Sequence, residues 1–142
     1  MTDHIKAAAA TLAQAEQLLH KAQASEAQAK TSVTDIEAKL DAVQRRKAKI
    51  RADLDAETVS EAQAGGLFQI AAADESDLTD MQRAATERHG ATIAATREAQ
   101  TERDRAVNAL EQAERRQTFD ALSAHVAMIE QALTNAVAEL FT

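Results

Sequence analysis

Residues 5–54, IKAAAATLAQAEQLLHKAQASEAQAKTSVTDIEAKLDAVQRRKAKIRADL, decide the fold. Ile5, Leu12, Leu19, Glu26, Val33, Leu40, Lys47 and Leu54 recur every seven residues. Three positions after each of the first seven stand Ala8, Ala15, Ala22, Ala29, Ile36, Val43 and Ile50. A helix on the surface of a globular domain follows a period of 3.6 and drifts out of a seven-residue frame. Helices that wind around one another in a left-handed supercoil stay in it. A frame broken only at Glu26 and Lys47 is the pattern of a coiled coil. Its four successive alanines bring backbones close but bury about half the area of a leucine seam, so this stretch needs a partner that supplies bulk.

Working outward, the far end of the chain offers that bulk. Phe119, Leu122, Val126, Ile129, Leu133, Ala136 and Leu140 alternate in steps of three and four. The large residues among them, Phe119, Leu122, Val126, Ile129, Leu133 and Leu140, are the expected oligomer seam. Upstream, Leu78, Met81, Ala85, Ala95, Ala99, Ala106, Leu110 and Ala113 form a weaker stripe. The phase changes between the two stripes, which places a stutter or a helix break near residues 115–118.

Residues 60–76 interrupt the helical pattern, with Gly65-Gly66 followed by an apolar run at residues 67–70. A glycine pair ends helices, and Asp74 or Ser76 caps the next one well. The expectation is a first helix over 3–62, a turn with a short apolar segment over 63–76, and a second helix over 77–141. These arms, about 58 and 64 residues, would each run about 85–95 Å. Matched arms around one connection point to an elongated, all-α antiparallel hairpin, a single domain; an open chain pairing with other subunits is the rival. Folding near residue 70 pairs residues whose numbers sum to about 140 and sets Ile5 against residues 133–137.

Composition agrees. In 142 residues there is no Pro, Cys, Trp or Tyr and only 3 Gly, while the net charge is −7. Alanine makes up about a quarter of the chain, and Leu, Ile, Val and Phe together about 18%, too little for a thick core but enough for a thin seam. The acidic, sign-mixed surface argues against general nucleic-acid or anionic-membrane binding. No run of 18 apolar residues is present, and the alanine-rich start carries Asp3 and no leucine core, so neither a membrane span nor a signal peptide is expected. The expected location is the cytoplasm, or an assembly built from it.

No phosphate loop or calcium loop is present, and His4, His20, His89 and His125 stand singly, expected on polar surfaces or, for His125, beside a core valine. Carboxylates alternate with Arg and Lys as on a solvated helix face. The expected sets of catalytic, cofactor-binding and metal-binding residues are therefore empty. The basic run Arg45, Arg46, Lys47, Lys49 and Arg51 spreads around the helix without an aromatic neighbour to stack a base, which argues against nucleic acid.

The remaining candidate is the predicted turn. Leu67, Phe68 and Ile70 either fold back to plug the seam or project as a docking knob, and Asp74 and Glu75 give the same region acidic character. These five are the candidate partner-binding residues. The expected function is a non-enzymatic coiled-coil strut, spacer or fibre component of a larger bacterial or phage assembly, with protein partners and self-association. The alternative is a small adaptor, chaperone or inhibitor that binds one protein through the acidic, apolar turn.

Overall fold

The computed structural model describes residues 2–142. They form two α-helices, α1 (Thr2–Asp55, 54 residues) and α2 (Glu61–Leu140, 80 residues), packed as an antiparallel hairpin. Contacts group the chain into two units: His20–Glu98, and the residues up to Leu19 with Ala99–Thr142. In each, a stretch of α1 lies against a stretch of α2.

The heptads of α1 are borne out from Ile5 to Ile50, whereas Leu54, the last of the series, is exposed. From Ile5 to Ile50 every residue of the two seven-spaced series is at least half-buried, and every other residue is exposed. The opposing seam of α2 is also a heptad, less visible in the sequence because so much of it is small or polar. Within His20–Glu98 it runs through Ala64, Ala71, Leu78, Ala85 and Thr92, with Phe68, Glu75, Gln82, His89 and Thr96 four residues after each. In the other unit it runs through Ala99, Ala106, Ala113 and Asp120, with Arg103, Leu110 and Gln117 between them. His89, expected on a polar surface, is thus half-buried. The best-packed part lies beside the chain reversal, where Val43, Ile50, Ala64 and Ala71 meet Val59, Phe68 and Leu78.

The reversal itself occupies residues 56–60, not 63–76. Two local devices make it there. At the end of α1, Thr58 N–H donates to Asp53 C=O at 2.9 Å and Glu57 N–H to Leu54 C=O at 3.0 Å. This is the paired-bond helix terminus that needs a left-handed residue at its centre; Glu57 supplies it at φ 59°. At the start of α2, Ser60 Oγ accepts from Gln63 N–H at 3.2 Å while Gln63 Oε1 accepts from Ser60 N–H at 3.3 Å. That reciprocal cap over Ser60-Glu61-Ala62-Gln63 satisfies two otherwise orphaned donors, and Val59 before it packs against the cluster that contains Ala64.

Gly65 and Gly66 therefore lie within the first turns of α2, and Asp74 and Ser76 inside it rather than at its cap. Two glycines cost a helix about 1 kcal/mol each; a complete cap on one side and Ala71, 0% exposed in the seam, on the other outweigh that. Nor is there a break at residues 115–118, where α2 runs straight through. The apolar phase changes there; the helix does not.

The register is corrected accordingly. Lys47 pairs with Glu75, and Arg46 Nη2 lies 3.0 Å from Asp74 Oδ2, so facing residues have numbers summing to about 121 rather than 140. Ile5 falls level with Gln117, not with residues 133–137. The first turns of α1 thus sit beside Gln117 and Asp120, and His4 and Ala8 share a shallow groove with both. The arms are not equal: beyond Asp120, α2 continues alone, and every residue of 121–142 is exposed.

Candidate interaction surfaces

The five candidates near the reversal do not act as one group. On α2, Phe68, Ala71 and Glu75 turn toward α1, while Leu67 and Ile70 turn away, because a helix advances about 100° per residue. Phe68 is held in the seam, its ring centroid 5.1 Å from Lys47 Nζ and 5.4 Å from Arg51 Cζ. Both cations sit in the range where the ring's negative face attracts them. Lys47 also donates to Glu75. That hydrogen bond is the main reason the Glu75 carboxyl is held below the ordinary carboxylate range, partial burial opposing it and the Lys47 charge adding to it. Asp74 accepts from Arg46. Phe68 thus packs into the seam, while Leu67 and Ile70 are 47% and 59% exposed.

The same contacts account for much of the basic run. Arg46, Lys47 and Arg51 are turned to acids and an aromatic ring of the same chain, leaving Arg45 and Lys49 on the outer surface. The spacing of the run carries no sign of this, because a turn over 63–76 would not bring these residues level with Phe68, Asp74 and Glu75, as the reversal at 56–60 does.

The stretch of chain that bears the C-terminal stripe gathers most of the exposed large apolar side chains among the described residues. Phe119, Leu122, Val126, Ile129, Leu133 and Leu140 are all exposed, with Phe119 at 69% and Leu140 at 82%. Val137 lies beside the stripe, and Met128 and Phe141 are exposed on other faces of the same helix. Every residue of 121–142 is exposed, yet the spacing of the stripe is as regular as that of the buried seam of α1. Exposed apolar strips of this kind are characteristic of interaction surfaces.

Between the surfaces, the seam contains polar groups that composition alone could not place. Thr92 Oγ1 donates to His89 C=O at 2.7 Å, and Thr96 Oγ1 to Thr92 C=O at 3.0 Å. Arg103 Nε lies 3.0 Å from Asp104 Oδ1 but out of line for a hydrogen bond. Among the described residues, no cluster of three His, Cys, Asp or Glu could hold a metal ion, and no helix is long and apolar enough to cross a membrane.

No protein-family model matches the chain, and no curated protein or solved structure matches it either.

Proposed function

We propose that this protein is a non-enzymatic structural element, a coiled-coil strut or spacer that joins a larger bacterial or phage assembly through its C-terminal helix. The observation that carries this reading is the uncovered stripe on α2 beyond Asp120. A heptad-like row of large side chains has no use for the fold of a single chain that leaves it in water. It has an obvious use as one side of a helix–helix joint. The hairpin supports the reading as a stiff carrier: its seam is thin, and its polar content suits spacing more than enclosing a ligand.

The adaptor reading, in which the reversal region grips one protein target, draws on the exposure of Leu67 and Ile70. It is the weaker of the two, because Phe68, Asp74 and Glu75 are already engaged within the chain. Removing residues 121–142 separates them. The strut reading expects the full-length chain, in extracts of its own cells, to migrate in a species much larger than its 15.3 kDa, and the shortened chain to migrate alone while remaining helical. Migration of the full-length chain at its own mass would defeat it. Loss of the large species on changing Leu67 and Ile70 to Ser, but not on truncation, would favour the adaptor.

A further inference from the structure

We infer that the partner of the C-terminal stripe is a second copy of the same stripe, docked parallel and in register, with the two α1 helices on opposite outer sides. This rests on the proposed role of α2 as a joint and names what it joins.

Three observations lead there. The first is direction. Near its end, the face of α2 covered by α1 runs through Leu110, Ala113, Gln117 and Asp120. Continued in the same heptad, that face meets Ala124, Ala127, Gln131 and Thr134, which are small or polar. The row Phe119, Leu122, Val126, Ile129, Leu133 and Leu140 lies on the order of 150° around the helix from it. The stripe is therefore no lost continuation of the hairpin seam. It faces away from α1, and a second α2 can lie along it without meeting either α1.

The second is area. Burying a large aliphatic or aromatic side chain removes on the order of 100 Å² of apolar surface. Seven such residues, Val137 included, give roughly 700 Å², near the 800 Å² per partner of a stable interface.

The third is charge. After Arg116 the chain has no Lys or Arg, and its acids are Asp120, Glu130 and Glu139. In a parallel pair the residue before each first-series position lies near the residue five further along the other helix. His125 then faces Glu130 of the second copy, and Ala132 faces Val137, extending the apolar contact. The antiparallel arrangement that overlaps the whole stripe instead sets Glu130 against its own copy, two like charges flanking an apolar seam, which is unfavourable. The parallel arrangement has one donor–acceptor pair on each side and no such clash.

The absence of cysteine from the chain makes the test clean. In the parallel pair Ala136 meets Ala136, and Ala138 points outward. Purified full-length Ala136→Cys, air-oxidised, is expected to form a disulfide-linked dimer at least about tenfold faster than Ala138→Cys, because only the former brings its Cα atoms within bridging range. Adding Ile129→Asp should slow the Ala136→Cys reaction by about a hundredfold through the buried charge, with helicity retained. Equal rates at the two positions, no covalent dimer of Ala136→Cys, or indifference to Ile129→Asp would each overturn the inference. If those results came with a large species still present in cell extracts, the joint would belong to another protein and the structural role would stand.

Discussion

Glu57 holds a backbone conformation, φ 59°, that costs a side-chain-bearing residue about 1 kcal/mol and glycine almost nothing. Glu57→Gly should therefore raise stability by about 0.5–1 kcal/mol, read from urea or thermal melts; a loss would mean that the reversal is elsewhere. The converse holds for Gly65 and Gly66, which sit in helical backbone with open space where a Cβ would be. Each change to Ala should stabilise by about 0.5–1 kcal/mol, whereas destabilisation would be the mark of a true turn at this pair. Glu75 gives a pH signature. Its folded value is lowered by Lys47, so its contribution is present above the ordinary value of about 4.3 and is lost as pH falls through the lowered one. The stability advantage of the wild type over Glu75→Gln should be visible at neutral pH and vanish by about pH 2. An advantage that persisted in strong acid would mean that the ion pair is not its source. At this scale the sequence was legible for what repeats and opaque for what occurs once. Ser60 and Gln63 spell a reciprocal cap three residues apart, but a glycine pair nearby carried the stronger expectation.

At the scale of elements, the seam of α1 was readable as far as Ile50, because it is both periodic and apolar at most positions, but the end of the helix at Asp55 was not. The seam of α2 has the same period, yet Glu75, Gln82, His89, Thr96 and Arg103 occupy it. Its polar members take their partial burial from the register, which no single-helix pattern contains. The phase change near residue 116 was legible, and its meaning is now physical: upstream the helix presents one face to α1, and downstream it presents nearly the opposite face to solvent. The two faces should therefore be separable by mutation. Ile129→Asp and Leu133→Asp together should leave the melting of the hairpin, compared at concentrations where both proteins are monomeric, within about 0.5 kcal/mol of wild type, since exposed sites contribute little. Ile36→Asp and Val43→Asp should unfold it, because an unpaired charge is forced into the seam. A large loss of monomer stability from the C-terminal pair would contradict the exposure of that face.

At the scale of the whole molecule, the all-α hairpin was legible and the inequality of its arms was not. Moving the reversal from about residue 70 to residues 56–60 shifts every facing pair and releases the end of α2 from α1. The functional reading turns on that release: the same six apolar residues that were expected to cover the alanines of α1 become a free surface. The most direct test is one distance, between spin labels at Lys6→Cys and Arg116→Cys, both exposed positions. With facing numbers summing to about 121, the labels sit abreast across one helix spacing of about 8–10 Å, and a short distance is predicted. If α1 instead lay against residues 133–137, Arg116 would be displaced by about 27 Å along the axis, and a distance of that order would show the C-terminal stripe to be part of the hairpin and not free to bind.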